Sequence, residues 1–136
     1  MVYQYALVPV IAWFVAGTLK FVINFIRFRS QAVNLIGNGG FPSTHTTVMS
    51  STVFLIGFSE GVGTPVFGLG MAVLMITIID ALGLRRAVGK QASAINRYIS
   101  GNTTDPLLRE RQGHNPVEVL GGLMLGFMLA YSLHQL

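Results

Sequence analysis

Thr64-Pro65-Val66-Phe67-Gly68-Leu69-Gly70-Met71-Ala72-Val73-Leu74-Met75-Ile76-Thr77-Ile78-Ile79-Asp80-Ala81-Leu82 is nineteen residues long and carries a single charge, Asp80, near its end. A helix needs roughly 20 mostly apolar residues to cross the hydrocarbon of a bilayer. The stretch therefore predicts a transmembrane helix, and between Met71 and Ile79 only Thr77 interrupts it. The rest of the chain agrees. Of its 136 residues, 51% are hydrophobic and 10% charged. A water-soluble domain carries about 25% charged residues to cover its surface. That deficit excludes a soluble surface, and the length suits one membrane domain over residues 1–136. The absence of cysteine removes disulfides and thiolate metal sites.

Three more apolar stretches fill the chain. The first runs from Tyr3 to Lys20 and extends as helix to Phe28. Its opening lacks the basic start of a secretory signal, so it is expected to be retained as a membrane helix. Another follows Pro42-Ser43-Thr44-His45; it is short and rich in hydroxyls, which favours packing against protein over lipid. The last runs from Pro116 to Leu133, with Pro116 suited to a first helical turn. Between Arg85 and Ser100, Val88, Ala92, Ile95 and Ile99 recur at helical spacing among Arg86, Lys90, Ser93 and Arg97. This pattern predicts an amphipathic helix at the membrane interface, followed by a turn over Gly101 to Pro106. The expected fold is all-α: an integral membrane bundle of about four transmembrane helices plus that interfacial helix. Gly57 and Gly61, and Gly122 and Gly126, are four apart, a spacing that lets helices approach closely. Internal packing is the favoured use of these glycines, while so thin a bundle makes a homodimer a reasonable expectation.

All nine basic residues, Lys20, Arg27, Arg29, Arg85, Arg86, Lys90, Arg97, Arg109 and Arg111, fall on one side of the four spans. The positive-inside rule places that side in the cytoplasm, for a protein of the cell membrane. Topology and headgroup contact would account for the charge if nothing reactive stood beside it. Lys20 and Arg27 are seven apart, hence on one side of the first helix. Gly39-Gly40-Phe41-Pro42-Ser43-Thr44-His45 opens the second helix, where free backbone amides suit an anion. Ser43 or Thr44 can also simply cap that helix. His114 and Glu118, four apart at the start of the last helix, are spaced for a carboxylate to orient an imidazole. Asp80 reads first as a partner for Arg85 or Arg86, and alternatively as a group orienting a cation or His45. Tyr98, Asn96 and Gln91 suggest only solvent or headgroup contact, and His134 lies across the membrane from the cluster.

Lys20 with six residues to Arg27, Pro42-Ser43-Thr44-His45, and His114 with three residues to Glu118 together resemble the three-part signature of the type 2 phosphatidic acid phosphatase superfamily. Vanadium-dependent haloperoxidases belong to the same superfamily. The wording around these residues, and the stretch Asp80 to Ala92, is more similar still to its divergent membrane branch. The resemblance implies a metal-independent phosphatase, without cofactor, acting on a phosphate monoester or pyrophosphate of a lipid. It implies His114 as the nucleophile forming a phospho-histidine, Glu118 orienting it, and His45 as general acid. Lys20, Arg27, Ser43 and Thr44 would hold the phosphate. Where the superfamily has Ser-Arg before the third-motif histidine, this chain has Leu107 and Leu108; Arg109, Arg111, Arg85, Arg86 and Lys90 are the candidates for the missing cation. Membrane lipids and a phosphorylated lipid are the expected partners, and nucleic acid is not. The alternative function is a non-catalytic membrane protein, a transporter or scaffold, that binds the same lipid phosphate or anion.

Overall fold

The structure, a computed structural model, describes residues 2–28, 40–99 and 106–136. Gly39, Arg29 and the turn expected from Gly101 lie outside them. Five α-helices account for nearly all of it: α1 (Val2–Phe28), α2 (Thr44–Ser59), α3 (Pro65–Ile79), α4 (Arg85–Ile99) and α5 (Pro116–His134). No strand occurs among the described residues. Among the described residues three helices are long and apolar enough to cross a membrane: Tyr3–Arg27, Pro65–Ile99 and Pro116–His134.

α2 is different. Its 16 residues fall short of a full span, and it is the central helix, packed against α5, α1 and α3. Thr46, Thr47, Ser50 and Ser51 are all buried in it. These hydroxyls can sit in an apolar bundle because they bond to helix carbonyls. Thr47 Oγ1 donates to Ser43 O at 2.9 Å, Ser51 Oγ to Val48 O at 3.0 Å, and Ser50 Oγ to Thr47 O at 3.3 Å. Among the described residues no buried side-chain nitrogen or oxygen lacks a partner.

Glycine decides how close α5 comes to α2. A Cβ on Gly122 would lie 2.7 Å from Ser43 O, and one on Gly126 would lie 2.0 Å from Ser50 Oγ. The two helices therefore touch backbone to backbone, with starts beside starts: they run parallel. Gly57 faces the Phe67 ring of α3, and Gly61 sits in the α2–α3 turn at φ +94. Gly57, Gly122 and Gly126 thus pack within the chain, whereas Gly61 serves the turn.

At the opposite end of the bundle a polar clasp joins α1, α2 and α5. Tyr5 Oη donates to Glu60 Oε1 at 2.6 Å, Ser59 Oγ lies 3.3 Å from His134 Nδ1, and Gln4 Nε2 donates to Leu133 O at 3.4 Å. Val8, Leu55 and Ala130 form the buried apolar core just beneath it. His134 is placed across the bundle from the basic residues, as expected.

The amphipathic helix expected from Arg85 is present as α4, and it continues α3 without a break through a π-turn, Asp80–Leu84, so that helix runs from Pro65 to Ile99. Asp80 reads as the end of a span in the sequence. A π-turn absorbs one extra residue while keeping helical backbone angles, so no loop is needed there.

Candidate active site

Parallel packing brings the starts of α2 and α5 side by side at the basic end. At α2, Ser43 is the N-cap: its Oγ accepts from Thr46 N–H at 3.4 Å and from Thr46 Oγ1 at 2.9 Å. Ser43 N–H donates to Glu118 O at 2.9 Å, which ties the two helix starts together. The fully buried Ser43 side chain is thus used as a cap. The amides of Thr44 and His45 precede the first intrahelical bond, and helix geometry gives them no acceptor of their own. At α5, Asn115 and Glu118 form a reciprocal capping box, with Glu118 N–H donating to Asn115 Oδ1 at 2.8 Å. Two helix starts, each favouring negative charge, meet at one place.

His114 stands just before α5 and is 8% exposed. Its Nδ1 lies 2.8 Å from Glu118 Oε2, which also accepts from Asn115 N–H at 3.3 Å. A carboxylate only accepts, so Nδ1 carries the hydrogen and Nε2 keeps its lone pair. Burial pushes the imidazole below its usual range, against the pull of the Glu118 hydrogen bond. The ring therefore donates this hydrogen bond to Glu118 from its neutral form. The main chain is fixed as well: His114 N–H donates to Ala81 O at 3.0 Å. The π-turn makes that carbonyl available, because Arg85 N–H bonds Asp80 O, five residues back, instead of Ala81 O. Gly113 allows the approach at φ +79, where a Cβ would lie 2.9 Å from Ala81 O.

Around His114 the structure gathers ionisable groups from α1, α2, the π-turn and α4. His45 lies in the first turn of α2, and its imidazole is also pushed below the usual range. Burial is the main cause, followed by Arg85, His114 and Lys20, with Asp80 acting in the other direction. Lys20 of α1 lies within Coulombic range of Glu118 and Arg109. Asp80 pairs with Arg85 Nε, the first of the readings proposed for it. Lys20, His45, Asp80, Arg85, His114 and Glu118 therefore lie within electrostatic reach at this end of the bundle, and Arg109 is within reach of Lys20. Arg27 is exposed two turns beyond Lys20, and nothing among the described residues ties it to the histidines. Arg86 and Lys90 line a separate open groove of about 310 Å³ with Gly89, Ser93, Glu110 and Gln112. Arg111 is exposed on the segment before His114.

Asn96 must be moved from the surface to the interior, where it is 4% exposed. Its Oδ1 accepts from Leu108 N–H at 2.8 Å, while its Nδ2 donates to Leu108 O at 2.7 Å and to Glu110 Oε1 at 2.8 Å. Bonds from Asn96 and Ser93 hold the Glu110 carboxyl below its ordinary range. One side chain thus pins to α4 the segment that leads to His114. Its place on a face with Gly89 and Ala92 was the available signal, since a helix surface turned to water has little use for two small residues in line.

These features define an all-helical membrane protein with a cation- and histidine-lined site at one end of its bundle. The chain belongs to the divergent PAP2 family, whose sequence pattern matches residues 2–129. It is similar to the uncharacterized membrane protein YuiD of Bacillus subtilis (strain 168), with 28% identity over 85% of this chain and 87% of that one. No solved structure matches the chain.

Proposed function

We propose that this protein is a phosphatase of the membrane surface, hydrolysing a lipid phosphate monoester or pyrophosphate through a phospho-histidine. The observation that carries the reading is the buried His114 held by Glu118 at 2.8 Å. A neutral imidazole with a hydrogen-bonded Nδ1 has a nucleophilic Nε2. Phosphoryl transfer asks mainly for an in-line nucleophile and positive groups around the oxygens. Lys20 and the two helix starts supply the positive side. Nε2 attacks phosphorus as the bond to the leaving oxygen breaks, and His45 gives that oxygen its proton. Water then attacks the phospho-histidine, His45 takes the water's proton, and inorganic phosphate departs with His114 restored. Burial and the neighbouring cations lower the pKa of His45; a phosphate anion beside it favours the protonated form and arms it as the acid. The site faces the cytoplasm on this reading, since the basic residues share its end.

The test is phosphate release by purified protein in vesicles, from a panel of phosphatidate, phosphatidylglycerophosphate and polyprenyl phosphates. His114→Ala and His45→Ala are expected to abolish release while the protein stays folded. A folded wild type that binds these lipids without releasing phosphate would establish the non-catalytic alternative. Activity surviving in both variants would sink the proposed chemistry. Sidedness is checked separately with single cysteines at Gly63 and Thr103, which the cysteine-free chain permits. Labelling of Thr103→Cys from outside intact cells would reverse the orientation.

A further inference from the structure

The π-turn is the least explained part of the fold, and it touches the site twice. Its backbone holds the nucleophile: Ala81 O accepts from His114 N–H at 3.0 Å because Arg85 N–H has turned to Asp80 O. Its ends hold a cation: the Asp80 carboxylate accepts from Arg85 Nε across the turn. In an uninterrupted α-helix, residues five apart lie about 500° around the axis, some 140° from each other. The extra residue of a π-turn narrows that separation and lets the two side chains meet. Arg85 and its neighbour Arg86 consequently part company. Arg86 turns to the outer groove with Lys90, and its Cγ would lie 2.7 Å from a Cβ on Gly113. Among the described residues Arg85 is oriented through Nε, and its terminal amino groups can serve another acceptor.

Resting on the phosphatase reading above, we propose that Arg85 is the guanidinium that grips the substrate phosphate, and that the Asp80–Leu84 π-turn is the positioning element setting it against His114. A fork held at Nε is suited to two parallel bonds to phosphate oxygens, a geometry a lysine cannot reproduce. Proximity supports the assignment, since Arg85 exerts its field on both histidines. Asp80 acts through Arg85 and is a positioning residue.

Two readouts on the full chain in vesicles separate this proposal from the phosphatase reading. The first is affinity for inorganic phosphate, by titration calorimetry. Arg85→Gln is expected to weaken it about tenfold to a hundredfold, the size of one or two lost charged hydrogen bonds, and Arg85→Lys to recover only part. Arg97→Gln, remote from the turn, serves as the control and leaves affinity unchanged. The second readout is turnover. Asp80→Asn is expected to lower it in the wild type and to add nothing in an Arg85→Gln background, because the two act as one unit. Wild-type phosphate affinity in Arg85→Gln, or an equal loss in Arg86→Gln, would overturn the proposal whatever the turnover. An additive Asp80→Asn effect would overturn the positioning role. Activity in His114→Ala would instead overturn the phosphatase reading and leave the phosphate grip standing on its own measurement.

Discussion

Replacing Gly122 by alanine tests whether the α2–α5 contact assembles the site. The new Cβ would lie 2.7 Å from Ser43 O and 2.9 Å from Thr46 Cβ, both in the first turn of α2. Neither is the loose end of a long side chain, so α5 must withdraw. Ordinary contact begins at 3.4 Å, so the withdrawal is roughly 0.7 Å at that level. One turn away, the Ser43 N–H bond to Glu118 O is 2.9 Å long and would stretch to about 3.6 Å, past useful hydrogen-bonding length. Overpacking of this kind costs about 1–3 kcal/mol. The same shift moves His114 against His45, and misplacement by about 1 Å can lower a rate by 10²-fold. Thermal unfolding in detergent and phosphate release in vesicles read the two consequences separately. Gly17→Ala on α1, where a Cβ meets nothing within 4 Å, is the matched control and should leave both unchanged. A Gly122→Ala protein that melts and turns over like wild type would refute the reasoning.

Other outcomes follow from the site. Glu118→Gln keeps the shape but places an amide against His114 Nδ1, so kcat should fall about 10²- to 10⁴-fold with modest change in KM; steady-state kinetics decide it. The pH profile of kcat/KM should have an acid limb below 6.5, because His114 must be neutral and its burial lowers its pKa from that value. Glu118 opposes that shift, so Glu118→Gln should move the limb further towards acid; a limb above 6.5 would count against His114 as nucleophile. On the alkaline side activity should fall as free-enzyme His45, its pKa lowered mainly by burial, loses its proton; a profile that stays level there would count against His45 as the acid. Asn96→Ala removes three bonds to the 106–112 segment and should cost about 1–3 kcal/mol. Faster proteolysis of that segment, with α1–α3 unaffected, is the expected pattern in a limited digest.

Much of the architecture is written in the hydropathy of the chain. α1 runs to Phe28, α5 begins at Pro116, and the hydroxyl-rich α2 is buried in protein, all as their composition directs. The histidines and Glu118 were legible because helix starts, spacing and charge pointed to them together. The π-turn was not legible: an acid followed three residues later by glycine has the composition of a helix end, and only packing shows that the helix continues. Asn96 was hidden for a related reason, since a polar residue on an amphipathic face looks solvated until another segment of chain lies across it. Division of the cations between the histidine site and the outer groove depends on the same turn, which sends Arg85 and Arg86 in different directions.

The parallel seam between α2 and α5 also sets an order for biosynthesis. Lys20, His45 and Arg85 leave the ribosome on α1, α2 and α4, whereas the surface they converge on belongs to the last helix. Until α5 is inserted, α2 has Ser50 and the first-turn threonines facing a groove that only Gly122 and Gly126 can close. A chain stopped before Pro116 would hold its apolar spans yet present a row of hydroxyls to lipid. The site is therefore completed only when the final helix packs against α2.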